Sequence, residues 1–233
     1  MEDRNQGSGA RGWKLVILLA MMVVGPTGSA RDRKLDRDGK NLRITLRMYN
    51  YAALSPTEVN GAAKQAAAIF KLAGIDTLWL GDVRSSEEAL NDPALRTNVE
   101  PTDFAVRIVA TALPYGFASP EDTLGFTMPC SPEKVYCITT VFYLCANEPA
   151  VSARTPVAQV LGYAIAHEVG HVLLGTMSHS PYGIMRAKWT AKDFACWCAG
   201  CLRFTAPEAR RIAAAVRERM ENHDRLLRAR AVQ

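Results

Sequence analysis

The chain has 233 residues, 48% of them hydrophobic and 22% charged, with a formal net charge of +5. That is the make-up of an ordinary globular protein, with material for one large domain or two small ones, and it excludes a disordered or low-complexity chain. The charge is mild and argues against nucleic acid as a partner.

Arg4, Arg11 and Lys14 make a basic start, Leu15 to Val24 is an unbroken apolar run, and Gly28-Ser29-Ala30 offers small residues to a signal peptidase. Residues 1–30 therefore read as a secretory signal cleaved after Ala30, which makes the mature protein secreted or periplasmic without stable membrane association. The ten apolar residues fall short of the roughly 20 that span a bilayer. The alternative is an uncleaved signal that anchors the chain. Cleavage removes three basic and two acidic groups and leaves a net charge of about +4. Residues 31–41 form a charged leader ahead of a domain over 42–233.

Leu42, Ile44, Leu46 and Met48 alternate with polar neighbours, so the spacing predicts a strand over 42–49. Ser55-Pro56-Thr57-Glu58 is a capping box with proline at the first helical position, opening a helix that runs to Ala73 and closes at Gly74. Ile75 to Leu80 predicts a second strand, and Ser85 to Asn98 a polar surface excursion. Phe104, Val106, Ile108 and Ala110 predict a third strand. Leu124, Phe126 and Met128 predict a short fourth, and Val135 to Leu144 a fifth.

The next helix follows directly, with Thr155 as N-cap and Pro156 at its first position. Val157, Val160, Leu161, Ala164, Ile165 and Val172 would bury one face of it, and Gly175 ends it. It carries His167-Glu168-Val169-Gly170-His171. Histidines four apart share a helix face and can hold one zinc ion, while Glu168 beside them can take a proton from water. His179, beyond the glycine turn, can approach as a third nitrogen ligand. Three protein ligands leave the fourth position open, as hydrolysis of an amide requires. Of the four histidines in the chain, three fall in this stretch, which favours a metal site over three unrelated core residues.

The segment from His167 to Met185 resembles the metzincin clan of zinc metalloproteases: a zinc-binding helix, a glycine turn, a third histidine and a methionine turn. The resemblance implies His167, His171 and His179 as ligands of one catalytic zinc, Glu168 as general base and Met185 as the Met-turn residue. That pattern places glycine three and histidine six residues after the second ligand. Here Gly175 is four and His179 eight residues after His171, so both helix and loop are longer. By element order the resemblance implies an α+β fold. A mixed, mostly five-stranded sheet packs on two helices to form a subdomain over 42–175, and a small helical subdomain follows over 176–233. It also implies that Thr123, Leu124, Gly125, Phe126, Thr127 and Met128 form the sheet edge that pairs with an extended peptide. A plain edge strand shielded by its own loop is the other reading.

Thr205 and Glu208 form a second capping box, and Ile212, Val216 and Met220 make one stripe of the helix that follows. Its arginines (Arg210, Arg211, Arg217, Arg219, Arg225, Arg228, Arg230) read as a charged outer face. The six cysteines, Cys130, Cys137, Cys145, Cys196, Cys198 and Cys201, favour disulfides in an exported chain. Cys130 with Cys137 would staple the loop between strands four and five, and Cys145 would reach the 196–201 cluster. Cys198 and Cys201 also have the spacing of a metal site, and archaeal-type metzincins carry a second, cysteine-bound zinc. That zinc is the less favoured alternative. The residues thus point to a secreted zinc metalloendopeptidase acting on peptides or proteins, the alternative being a non-catalytic zinc scaffold of the same fold. Tyr182 is a further candidate for the oxyanion, set against simple packing in the turn.

Overall fold

Alternation in β1 (Arg43–Asn50) sends Ile44, Leu46 and Met48 into the core, each no more than 1% exposed. This strand belongs to a computed structural model that describes residues 41–83, 99–111, 123–128, 130, 137–194 and 202–231. The signal segment, the excursion after β2 and Cys196, Cys198 and Cys201 lie outside the described residues.

The architecture is α+β. β1 pairs in parallel with β2 (Asp76–Val83) on one side and β3 (Asp103–Val109) on the other. β3 pairs in parallel with β5 (Cys137–Phe142), and β4 (Gly125–Thr127) runs antiparallel to β5. The order β2-β1-β3-β5-β4 leaves β4 at the margin of a mixed five-stranded sheet. α1 (Pro56–Leu72) opens on the expected capping box, with the Ser55 hydroxyl accepting from Glu58 N–H and the Glu58 carboxylate accepting from Ser55 N–H. Val59, Ala62, Ala66, Ile69 and Phe70 are its buried face.

The structure departs from the sequence expectation in four ways. β5 ends at Phe142, and the chain passes at once into α2 (Tyr143–Ser152). Pro149 stands inside that helix and signals a break rather than a helix when read locally. The next helix, α3 (Val157–Leu174), begins one residue later than expected, with Pro156 at the cap position and no side-chain cap. The Thr155 hydroxyl instead faces the carbonyls of Ala153 and Phe194, at 3.4 and 3.5 Å. α3 also buries far more than one face: every residue from Val160 to Leu174 is buried. It is the central helix, packed against α1, α2, β4 and β5 and, on the remaining side, α5 (Ala206–Ala231).

A short α4 (Ala191–Phe194) precedes α5. Ile212 and Val216 are fully buried, and Met220 packs on the same core. The Glu208 carboxylate accepts from Thr205 N–H at 2.7 Å, the expected half of the capping box. The fourth departure is Arg219. It is 2% exposed, donates to the Pro101 carbonyl at 3.0 Å and lies over the Phe104 ring at 5.4 Å. It belongs to the core contact of α5, not to the charged outer face.

Candidate metal centre and active site

The i, i+4 spacing on α3 brings His167 and His171 to one face, where they are 8% and 3% exposed. Gly175 ends the helix in the left-handed region at φ 62°, a conformation that costs glycine no Cβ clash. The chain reverses there. His171 donates from Nδ1 to the Thr176 carbonyl at 2.8 Å, just past the turn. His167 donates from Nδ1 to the Ile184 carbonyl at 2.7 Å, in the turn that carries Met185. Ser180 N–H donates to the Met185 carbonyl at 2.7 Å and Ile184 N–H to the Arg203 carbonyl at 2.9 Å, which holds the loop between them. That loop delivers His179, an exposed side chain, to ring-centroid distances of 5.2 Å from His167 and 5.0 Å from His171.

A carbonyl oxygen can only accept, so each Nδ1 carries the hydrogen and each neutral ring turns an unprotonated Nε2 inward. The two Nε2 atoms are 3.0 Å apart. Burial pushes the His167 pKa down to about 4 and lowers that of His171 as well, so both rings are neutral near pH 7. Two lone pairs face one another with no hydrogen to share, and a cation between them resolves the conflict. One donor atom from each of His167, His171 and His179 lies within 4.8 Å of the others. Three imidazole nitrogens with one side open are a donor set that fits zinc.

Glu168 is 5% exposed beside this triad. Burial pushes its carboxyl up to about 7, against the opposing pull of the Thr127 hydroxyl, which donates to Oε2 at 2.8 Å. His167, Glu168 and His179 open on a cavity of about 300 Å³, with Thr123, Leu124 and Gly125 of the β4 segment along its border. Its far wall includes Arg186, Lys188, Trp189 and Phe194, none of them marked by any motif. Trp189 sets its ring 5.5 Å from that of His167 and donates from Nε1 to the same Ile184 carbonyl at 3.2 Å.

Met185 is 1% exposed, and its sulfur lies where a Cβ on Gly170 would meet it, beneath the histidine-bearing helix. The edge segment divides: Phe126 turns to the other sheet face, 5.9 Å from Phe142, and Met128 is 58% exposed. Tyr182 is 74% exposed and packs in no core. Asp193 is paired with Arg186, and Glu208 accepts from Ser180 as well as Thr205. Cys130 and Cys137 form a disulfide across the β4–β5 loop, and Cys145 is buried on α2.

The chain matches no family model and no curated protein. Eighteen solved chains match it in structure. They include archaemetzincin from Methanopyrus kandleri, at 11% identity and TM-score 0.49, covering 76% of this chain and 98% of that one. A zinc-dependent peptidase from Methanocorpusculum labreanum matches at 9% identity and TM-score 0.46, covering 72% and 99% respectively. Metalloproteinase-II from Bacteroides fragilis matches at 10% identity and TM-score 0.45, covering 75% of this chain and 53% of its own.

Proposed function

We propose that this chain is an exported zinc-dependent peptidase of the metzincin type that hydrolyses internal peptide bonds. The observation that carries the reading is the pair of inward, unprotonated Nε2 atoms 3.0 Å apart, with the buried Glu168 carboxylate next to them. His167, His171 and His179 would hold the metal, and Met185 would floor the site. When bound, zinc supplies Lewis acidity, acidifying water and polarising a carbonyl.

The remaining chemistry falls to the chain itself. Glu168 takes a proton from the attacking water and passes it to the leaving amine, so the carboxylate is regenerated in each cycle. β4 has one neighbour, β5, among the described strands, and its other side could pair with an extended peptide through backbone hydrogen bonds. Export rests on the signal-like residues 1–30.

The test is metal analysis alongside a peptide-library cleavage assay on the chain starting at Arg31. One zinc per chain with cleavage inside peptides is the expected result. Zinc without cleavage of any peptide would leave the scaffold reading in its place.

A further inference from the structure

We propose that Thr127 is a positioning residue for Glu168, and that the Gly125-Phe126-Thr127 strand is built to seat that carboxylate. The proposal rests on reading Glu168 as the general base. Residues two apart on a strand share a face. In β4 this puts Gly125 and Thr127 toward Glu168, while Phe126 faces Phe142 on the other side.

The two residues do complementary things. The Thr127 hydroxyl, on a residue 4% exposed, is 2.8 Å from Glu168 Oε2 and 2.9 Å from the Glu168 carbonyl. At Gly125 a Cβ would meet the Thr140 carbonyl of β5 at 2.6 Å, and also Glu168 Cγ at 2.9 Å and Oε1 at 3.1 Å. One residue grips the carboxylate, and the other leaves room for its stem and its second oxygen.

A hydroxyl suits a group that gains and loses a proton. With Glu168 as carboxylate, the Thr127 O–H donates to Oε2. With Glu168 protonated, the acid O–H can donate to Thr127 Oγ1, whose own hydrogen turns to the Glu168 carbonyl. The contact of 2.8 Å between Thr127 Oγ1 and Oε2 can thus be a hydrogen bond in either state. Valine has the same shape and can do neither. Because the grip comes from the strand bordering the cavity, a peptide pairing with β4 would bear directly on the position of the base.

The experiment compares Thr127→Val, Thr127→Ser and wild type for kcat, KM and zinc content. Thr127→Ala serves as a second hydroxyl-free variant should valine disturb β4. Loss of the hydroxyl should lower kcat about tenfold to a hundredfold, the scale of a misplaced catalytic group, with KM and zinc content little changed. Serine should restore most of the rate. Thr127→Val or Thr127→Ala with wild-type kcat, or serine falling as far as valine, overturns the proposal. A melting cycle of Thr127→Val, Glu168→Ala and the double variant gives a readout that needs no turnover. Neighbours in direct contact should be non-additive, and strictly additive shifts would count against the contact. A zinc-loaded wild type that cleaves nothing removes the peptidase reading, while the cycle still decides whether Thr127 holds Glu168.

Discussion

His167 and Ile184 are joined by a hydrogen bond of 2.7 Å from the ring Nδ1 to the carbonyl, and this bond ties the central helix to the turn carrying Met185. His171 is held in the same way by Thr176. Protein carbonyls therefore orient both rings whether or not a metal is bound. Chelation should leave a folded, cooperative protein that melts at a lower temperature, and zinc should restore it. At a free zinc concentration a thousandfold above Kd the difference is about 4 kcal/mol. Calorimetry with and without chelator measures it, and unfolding on chelation would contradict a preorganised site.

Glu168→Gln keeps the shape of the side chain and leaves the histidines intact. Zinc content should match wild type, while hydrolysis falls by about two or more orders of magnitude, the usual scale of general acid–base catalysis. Metal analysis and peptide cleavage on one preparation decide the matter. A variant with most of its activity would take the role of base away from Glu168.

His179 is the exposed member of the triad and sits on the longer loop. His179→Ala should weaken zinc binding itself, because two histidines make an incomplete catalytic set. Competition with a chromogenic chelator reads the affinity directly. Unchanged affinity would mean that the third ligand is another group.

The metal-free protein should show a specific pH signature. Glu168 has a folded pKa of about 7, raised above its ordinary 4.5. Its contribution to stability is full below pH 4.5 and is lost as pH rises through 7. His167 runs oppositely: its pKa of about 4 lies below 6.5, so its contribution is present above 6.5 and is lost as pH falls through 4. Glu168→Gln removes only the first contribution. Relative to wild type, the metal-free variant should therefore gain stability between pH 5 and pH 8, by about 3 kcal/mol at most. Urea midpoints at the two pH values test this, and a difference that ignores pH would show the cause to be wrong.

Arg47 and Asp103 pair at 2.6 Å with side chains 3% and 4% exposed. Asp103→Ala removes a carboxylate that accepts two hydrogen bonds from this buried guanidinium, so stability should fall by about 3–5 kcal/mol. Denaturant unfolding of the zinc-loaded protein measures the loss. A change under about 1 kcal/mol would mean that water or another group takes over the arginine.

Much of this protein is written in local patterns. Ser55 and Glu58 cap α1 because their partners are three residues apart. The alternation of Ile44, Leu46 and Met48 reports a strand because its period is that of the backbone. His167 and His171 meet because four residues make about one helical turn. In each case the interacting groups lie within the reach of one element, so spacing alone conveys the contact.

Packing across the fold decided the rest. α2 forms despite Pro149, and α3 is buried all round because sheet and helices surround it, neither of which its own periodicity encodes. Arg219 leaves the charged face of α5 because Pro101 and Phe104, more than a hundred residues earlier, offer a carbonyl and a ring. His179 reaches the other histidines through a turn at Gly175 and a loop fastened at Met185 and Arg203. Thr127 meets Glu168 across 41 residues. Chain spacing carries no distance information at such separations; strand register and helix packing set those distances, and both arise only when the whole core closes.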